Sequence, residues 1–259
     1  MSPRPGAGVA AGAAGGASDP GGEAGEDARG LPAPVVIGVF ASGGGTNLQA
    51  LIDRVDPAVA RIGLVLTDRP DAYALERGRA AGARTVVIPV VGRGEDAVAA
   101  DTLAALRDAG VGLIALAGYI RLVPAAVVRC YAGRILNIHP ALLPGFGGQG
   151  MYGHHVHDAV LAARCRVSGP SVHLVDEQYD RGPIVTQWPV PVHDGDTADT
   201  LAACVLRVEH LLYPAVVEAA ARTLAAGGDV AALRCRYPDA FAAAGEPDAA
   251  DVRAALGLD

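Results

Sequence analysis

The sequence carries no excess of positive charge, no long apolar run and no paired cysteine motif. Its 259 residues have a formal net charge of -7 at neutral pH, which argues against nucleic acid as the main partner. No uninterrupted apolar run is long enough to predict a membrane span. The four cysteines are scattered without a C-x-x-C pair, so we expect reduced thiols rather than a disulfide framework or a zinc site. Together these features predict a cytoplasmic protein without nucleic-acid or membrane partners.

The first 33 residues differ in composition from the rest of the chain. Residues 1–33 are rich in Gly, Ala, Pro and acidic side chains, and they have neither an apolar period nor the apolar stretch of a signal peptide. We interpret them as a disordered tail. Residues 34–226 are numerous enough to form one domain with its own core, and residues 227–259 form an Ala/Asp-rich C-terminal extension.

Short β-branched runs alternate with helical periods through most of the chain. Strands are predicted at 35–41, 61–67, 84–89, 111–117 and 134–138, with helices from about 46 and at 72–81, 96–108 and 124–131. Continuous apolar strands that are each followed by a helix predict a parallel sheet covered on both faces. Strands at 171–175 and 184–192 and a long helix over 198–225 follow. The predicted fold class is α/β, a doubly wound, mostly parallel sheet with a mixed C-terminal half.

A glycine-rich turn, SGGGTN, joins the first predicted strand to the first predicted helix. Free N–H groups at such a helix N-terminus bind anions, and glycines let the backbone approach them closely. Thr46 could cap the helix and offer a hydroxyl. Gly43 and Gly45 form a G-x-G pattern and Asp68 ends the second strand, which keeps an NAD-dependent oxidoreductase open as an alternative. The third glycine position holds Leu48 and no Gly-Lys-Ser/Thr follows, so the turn suits one phosphate better than a pyrophosphate.

A polar cluster is expected at the carboxyl end of the fifth strand. Asn137 and His139 alternate there, so their side chains lie on one face, at the sheet edge where parallel α/β folds bind ligands. A later loop carries Asp176, Glu177 and Asp180. One of these acids near His139 would raise the pKa of the imidazole and hold its protonated form, but spacing leaves open which one.

Three further histidines, His154, His155 and His157, raise the possibility of a metal site. They stand at a predicted helix start and offer no i, i+4 pair, and no Cys or Glu completes a familiar ligand spacing. We therefore expect no metal at this position.

Six motifs occur in one order along the chain: SGGGTNLQALI, LAGYIRLVP, RILNIHPALLP, GFGGQGMYGHHVH, SVHLVDEQYDRGPIV and VEHLLYP. On these motifs the chain, from about residue 35 to about residue 225, resembles the phosphoribosylglycinamide formyltransferases of purine (IMP) biosynthesis. The resemblance implies a Rossmann-like formyltransferase domain over residues 34–226, active as a monomer or homodimer without a metal. It also implies transfer of the formyl group of 10-formyltetrahydrofolate to the amine of 5′-phosphoribosylglycinamide (GAR), giving formyl-GAR and tetrahydrofolate.

The resemblance also assigns site residues. It implies direct transfer through a tetrahedral intermediate that Asn137 and His139 stabilise, while Asp180 raises the pKa of His139. The implied GAR-binding residues, which hold the 5′-phosphate and the ribose, are Gly44, Gly45, Thr46, Asn47 and Glu209. The implied folate-binding residues are Ile120, Arg121, Leu122, Val123, Asn137, Asp176, Glu177, Gln178, Tyr179 and Asp180. Arg93 is the nearest counterpart of a folate-contacting arginine.

The chain departs from the family pattern at a few positions. Gly44 stands where many relatives carry Asn, Ala141 stands where serine is frequent, and the loop 145–153 is longer than its commonest form. Besides the NAD enzyme, three competing functions are possible, and the sequence disfavours each of them. A methionyl-tRNA formyltransferase would need an RNA-binding domain after residue 225, and a formyltetrahydrofolate deformylase would need a regulatory domain that residues 1–33 are too short to build. A binding protein without catalysis conflicts with the intact trio.

Overall fold

The computed structural model describes residues 34–233 and 247–258, so the tail expected at 1–33 lies outside the described residues. The strands in this part are β1 (Val35–Phe40), β2 (Ala60–Thr67), β3 (Arg84–Val87), β4 (Leu113–Leu116), β5 (Ile135–His139), β6 (Val167–Ser168), β7 (Ser171–Leu174), β8 (Ile184–Gln187) and β9 (Val190–Pro191). The helices are α1 (Thr46–Arg54), α2 (Ala74–Ala80), α3 (Glu95–Asp108), α4 (Ala125–Cys130), α5 (His154–Ala162), α6 (Ala198–Ala225) and α7 (Ala249–Leu256), with a 3₁₀ turn at Val230–Ala232.

The main sheet is mixed, with the strand order β3-β2-β1-β4-β5-β7-β8. The first five of these strands run parallel, and β7 and β8 are antiparallel to their neighbours. The predicted α/β fold with a mixed C-terminal half is confirmed. Because the chain reverses its direction of winding between β1 and β4, the carboxyl ends of these two strands border a crevice.

The strand expected over 184–192 is two strands in two different sheets. Strand β8 ends at Gln187, and β9 pairs with β6 in a separate two-stranded sheet. Pro189 lies between them and has no N–H to continue the ladder. Gly169 lets the chains cross closely, since a Cβ there would lie 1.9 Å from the carbonyl oxygen of Trp188. The apolar run IVTQWPVPV hides this change of sheet, which explains the error in the sequence prediction.

Apolar side chains pack on both faces of the main sheet. On one face, α1, α2, α5, α6 and α7 cover a core that includes Leu48, Leu51 and Leu212. On the other face, α3 and α4 cover a core that includes Leu106 and Val127. Helix α6 is long and apolar enough by composition to cross a membrane, yet 56% of its most apolar window is buried within the fold. Such burial is typical of the central helix of a core.

The C-terminal helix α7 is fixed to α6 by a buried carboxylate. Arg222 of α6 and Arg253 of α7 contact Glu218 at 2.9 and 3.2 Å, and the Glu218 side chain is 1% exposed. Burial raises the pKa of Glu218, but hydrogen bonds from the two arginines outweigh it and leave the pKa below its ordinary value. Val252 and Ala255 belong to the main core. Helix α7, in the described part of the extension expected from residue 227 onward, therefore shares the core of the domain.

We expect Glu218→Gln to lower the free energy of unfolding by about 1–3 kcal/mol at pH 7, because two arginines lose their buried partner. Since the folded-state pKa lies below the ordinary value of 4.5, the carboxylate stabilises the fold above that pH and loses its effect as the pH falls. The difference between variant and wild type, measured by urea unfolding, should thus shrink in acid. Glu76→Gln, which removes an exposed partner of Arg79, is the control. Equal losses in both variants would contradict the role of the buried cluster.

Candidate active site

A cleft of about 690 Å³ opens at the carboxyl ends of β4 and β5. Its walls come from the segment after β4, the end of β5, the loop before α5, the loop after β7 and one side of α6. The polar and charged side chains of its lining include Asn47, Arg121, Asn137, His139, His157, His173, Asp180 and Glu209. The volume and the mixture of apolar walls with a few convergent polar groups are typical of a site for a small organic ligand.

Asn137, His139 and Asp180 lie together in this cleft. Asn137 and His139 come from the same face of β5, and the loop after β7 brings Asp180 to both. The Nδ1 atom of His139 is 3.6 Å from Asp180 Oδ2, and Asn137 Nδ2 donates to Asp180 Oδ1 at 3.4 Å. Of the three acids that the sequence left open, the structure places Asp180 beside the imidazole.

His173 is a fourth member of this cluster that the sequence analysis missed. Its Nδ1 is 2.8 Å from the carbonyl oxygen of Leu174, so Nδ1 carries the hydrogen and Nε2 accepts from Asn137 Nδ2 at 3.0 Å. This contact fixes the orientation of the Asn137 amide. The signal in the sequence was the alternation in SVHLV, but only the register of β5 with β7 places His173 opposite Asn137.

The surroundings of His139 keep its imidazole neutral in the free protein. Burial lowers the pKa of His139 by more than the neighbouring Asp180 carboxylate raises it, so the pKa lies below the ordinary value of 6.5. The Nε2 atom donates to the carbonyl of Phe146 at 2.8 Å. Asp180 therefore acts in the expected direction, but the protonated imidazole expected from the sequence is not the resting form, because desolvation is the larger effect.

Asp180 is held as a carboxylate by several donors. Burial raises the pKa of Asp180, but the neighbouring His173, His139 and backbone amide of Gly148 together lower it by more. The net pKa therefore lies below its ordinary value. The Gly148 N–H donates to Oδ2 at 2.8 Å. Asp180 has a left-handed backbone, with φ of 54°, which Asp tolerates better than most residues. Gly182 lets the same loop return against β7, since a Cβ there would lie 1.8 Å from the carbonyl oxygen of Leu174.

The glycine turn after β1 leaves the N-terminus of α1 open. Gly45 has φ of 69° and occupies the N-cap position, and no side chain makes a capping hydrogen bond. Thr46 is therefore the first helical residue and not the cap that the sequence suggested. The first turn of α1 contains no acidic residue. Its N–H groups and the positive end of the helix dipole are therefore suited to an anion. Of the expected GAR residues in the turn, Asn47 lines the cleft, while Gly44, Gly45 and Thr46 are not part of its lining.

Asn47 connects this turn to the buried acid of α6. Its Nδ2 donates to Glu209 Oε2 at 2.7 Å, across 162 residues of sequence. Burial raises the pKa of Glu209 to about 7, although the hydrogen bond from Asn47 lowers it. The Oδ1 atom of Asn47 is buried without a hydrogen-bond partner. The pair therefore places an acceptor and a readily protonated carboxyl beside the anion-binding turn.

The segment after β4 lines the other part of the cleft with Ile120, Arg121, Leu122 and Val123. The Nε atom of Arg121 donates to Asp68 Oδ2 at 2.7 Å, and the Asp68 side chain is 1% exposed. The acid that would bind the ribose of NAD in an oxidoreductase is thus enclosed by an arginine of the same chain.

The remaining expected folate residues are divided between the cleft and the surface. Gln178 and Tyr179 line the cleft, whereas Asp176 and Glu177 do not. Glu177 contacts Arg129 of α4 at 3.0 Å on the surface. Arg93 is also outside the lining and pairs with Asp101 of α3 at 2.7 Å.

The three histidines at the start of α5 do not converge. His154 contacts Asp199 at 3.3 Å on the surface, His155 packs edge-on against Tyr152, and His157 is buried beside the cleft. Within residues 34–233 and 247–258, no group of three or more His, Cys, Asp or Glu side chains could hold a metal ion. The free cysteines of the described residues are Cys130, Cys165 and Cys204.

A sequence model described as "Formyl transferase" matches residues 35–217, and the chain belongs to this family. The chain is 41% identical over 187 residues to "Phosphoribosylglycinamide formyltransferase, chloroplastic" of Arabidopsis thaliana, which covers 71% of this chain and 64% of the relative. It thus spans slightly less than two thirds of the length of that relative. It is 36% identical over 184 residues to phosphoribosylglycinamide formyltransferase of Escherichia coli (strain K12), covering 70% of this chain and 84% of the relative.

Solved structures give the same family relationship. The crystal structure of glycinamide ribonucleotide transformylase 1 from Symbiobacterium toebii superimposes with a TM-score of 0.67 at 38% identity, covering 76% of this chain and 93% of that chain. Phosphoribosylglycinamide formyltransferase from Brucella melitensis superimposes with a TM-score of 0.66 at 42% identity, covering 74% of this chain and 96% of that chain. The expected resemblance is confirmed.

We expect Asp180→Asn to lower the pKa of His139 further, because the substitution removes the negative charge that opposes desolvation. An NMR titration of the His139 ring protons measures this shift. Glu177→Gln, in the same loop but on the surface, is the control and should leave the His139 titration unchanged. A His139 titration that is identical in wild type and Asp180→Asn would show that the two side chains are not electrostatically coupled.

We expect Glu209→Gln to become more stable than wild type as the pH rises. The folded-state pKa of about 7 exceeds the ordinary value of 4.5. Between these two pH values Glu209 is ionised in the unfolded state but still protonated in the folded state, so the wild type loses stability as the pH rises. The neutral amide avoids this cost, and the difference in unfolding free energy should reach on the order of 3 kcal/mol above pH 7. Urea unfolding at several pH values measures it, with the exposed Asp53→Asn as control. A pH-independent difference would refute the raised pKa.

Proposed function

We propose that the chain transfers a formyl group from 10-formyltetrahydrofolate to the amine of GAR, in purine biosynthesis. The observation that carries this proposal is the placement of Asn137, His139 and Asp180 in a cleft with an open anion-binding turn beside it. The names of the relatives from Arabidopsis and E. coli support the same activity. The established family membership supports formyl transfer as the reaction class.

The acceptor GAR is assigned to the side of the cleft formed by α1 and α6. The N–H groups at Gly44, Gly45 and Thr46 bind the 5′-phosphate at the helix N-terminus. Asn47 and Glu209 then face the ribose, where the buried acceptor Asn47 Oδ1 can receive a hydrogen bond from a hydroxyl group. This placement leaves the amine of the substrate directed toward β5.

The folate donor is assigned to the side formed by the segment after β4 and the loop after β7. Backbone groups of Ile120–Val123 and Gln178–Asp180 read the polar edges of the pterin, and Leu122 and Val123 cover its apolar surface. Asp176 and Glu177 support the loop from outside the cleft, where Glu177 is tied to α4. Both Arg93 and Arg121 pair with an acid, but only Arg121 lines the cleft, so Arg121 is the better candidate for an anionic group of the donor.

Asn137 is assigned to the oxygen of the reacting formyl group. Attack by the amine gives a tetrahedral intermediate with negative charge on this oxygen, and an amide N–H held in place by its neighbours stabilises that charge. The contact with His173 holds one N–H of the amide, and the longer contact with Asp180 at 3.4 Å opens so that the second N–H can reach the formyl oxygen. Removal of one such donor typically lowers kcat by about 10²–10³-fold.

His139 and Asp180 are assigned to proton movement. The attacking nitrogen carries a positive charge in the intermediate and loses a proton, which the neutral His139 takes up, and Asp180 stabilises the resulting cation. His139 can then supply a proton to the departing folate nitrogen. In the free protein its Nε2–H is bound to the carbonyl of Phe146, so delivery from this atom requires that hydrogen bond to open.

The cellular setting stays a prediction. We assign the activity to the cytoplasm, although the Arabidopsis relative is named as chloroplastic. The monomer or homodimer expected from the resemblance stays a prediction as well.

A matched pair of asparagine variants tests the proposal. Purified protein is mixed with 10-formyl-5,8-dideazafolate, and release of deformylated folate is followed by absorbance with and without GAR. We expect release only when GAR is present. Asn137→Ala should lower kcat by about 10²–10³-fold through loss of the oxyanion donor. Asn47→Ala should instead raise the KM for GAR about tenfold through loss of one buried hydrogen bond.

Different results in this assay refute the proposal in different ways. Folate release without GAR would identify a hydrolase. No release under either condition would exclude GAR as the acceptor. A change of KM alone in Asn137→Ala would remove Asn137 from the chemistry, while a change of kcat alone in Asn47→Ala would remove Asn47 from acceptor binding.

A further inference from the structure

Helix α2 binds the carbonyl side of the glycine turn. The backbone N–H of Ala74 donates to the carbonyl oxygen of Gly43 at 3.1 Å. The Nε atom of Arg77, one turn further along α2, donates to the carbonyl oxygen of Gly44 at 2.9 Å. A carbonyl oxygen that faces an anion repels it, so a turn whose carbonyls are bound elsewhere can present its N–H groups instead.

The side chain of Arg77 is held by more than this one contact. Its Nη1 donates to Gln49 Oε1 at 2.8 Å, which ties the guanidinium to the first turns of α1 as well as to the glycine turn. The guanidinium carbon lies 5.1 Å from the centre of the Tyr73 ring. This cation–π contact gives a reason for the exposed position of Tyr73. A planar guanidinium can make these contacts at once, whereas a lysine ammonium cannot reproduce their fork geometry.

Two glycines bring α2 close enough for these contacts. A Cβ at Gly45 would lie 2.9 Å from the Cβ of Ala74, and a Cβ at Gly78 would lie 2.7 Å from Cγ2 of Val65 on β2. Both distances are too short for larger residues without movement of the backbone. The close packing therefore places Arg77 against the turn independently of any ligand.

The supply of positive charge near the turn is small. The chain contains no lysine, and the one arginine among the described residues that line the cleft is Arg121, which is paired with Asp68. Arg77 has no carboxylate among its described contacts. Its charge thus remains to attract an anion bound at the N-terminus of α1.

We propose that Arg77 is a positioning residue for the phosphate of the substrate. It binds the Gly44 carbonyl and Gln49, orients the N–H groups of the turn toward the phosphate, and adds a positive charge behind them. This inference rests on the proposed function only for the identity of the acceptor, because any phosphate monoester that binds the turn depends on the same contacts.

The test compares Arg77→Met with Arg79→Met, two equal losses of charge on the same helix. Arg79 is exposed and contacts Glu76 alone among the described side chains. We expect Arg77→Met to raise the KM for GAR about tenfold, with kcat nearly unchanged, since one to two hydrogen bonds that organise the turn are lost. Arg79→Met should resemble wild type. A fall in kcat without a change in KM, or equal effects in both variants, would overturn the proposal.

Arg77→Lys separates positioning from charge. Lysine keeps the positive charge but cannot bridge Gly44 and Gln49, so its KM for GAR should stay close to that of Arg77→Met. Full recovery by lysine would show that charge alone acts and would overturn the positioning role. Urea unfolding of each variant checks that the fold is retained.

A binding measurement keeps this inference separate from the proposed function. Ribose 5-phosphate is titrated into each variant while the backbone amide signals of residues 44–47 are followed by NMR, with ribose as the uncharged control. The affinity for ribose 5-phosphate should fall about tenfold in Arg77→Met and stay at the wild-type level in Arg79→Met. This result in a protein without formyl transfer to GAR would support the role of Arg77 and refute the acceptor. Transfer to GAR with no dependence on Arg77 would refute the role of Arg77 alone.

Discussion

The carboxylate of Asp180, whose side chain is 11% exposed, is the group on which the arrangement of the cleft depends. A charge in a largely enclosed position needs donors around it, and the structure supplies the backbone N–H of Gly148 and the side-chain amide of Asn137. These groups come from the loop before α5 and from β5, and Asp180 itself lies in the loop after β7. One charge therefore fixes the relative positions of three segments that are distant in sequence, and His173 on β7 holds the amide of Asn137 as well.

The cleft and the glycine turn beside it offer different physical means of binding. The turn after β1 offers backbone N–H groups and the end of a helix dipole, which suit a compact anion. The segment after β4 offers apolar side chains and a backbone edge, which suit a flat heterocycle. The link between Asn47 and Glu209 joins α1 to α6 and sets the distance from the anion position to the polar cluster on β5. Helix α2 packs behind the turn and binds its carbonyl oxygens, so the conformation of the turn is held by the fold without a ligand.

Much of the architecture could be read from local sequence. The alternation of apolar strands with helical periods predicts the parallel sheet, since each period is a property of a few neighbouring residues. The glycine turn predicts an anion position for the same reason, and the spacing of Asn137 and His139 places them on one face. The change of sheet at Pro189 was missed because the apolar run IVTQWPVPV continues through it.

The sequence by itself determined the parallel strands and the helices between them, the glycine turn at the start of α1 and the candidate acids and bases. Only the tertiary structure decided that Asp180 rather than Asp176 or Glu177 meets His139, that His173 stands opposite Asn137, and that α7 shares the core. These outcomes depend on strand register and on the path of loops between distant segments. The net pKa of His139 was decided there too, because burial is a property of the surrounding fold and outweighs the charge of one neighbour.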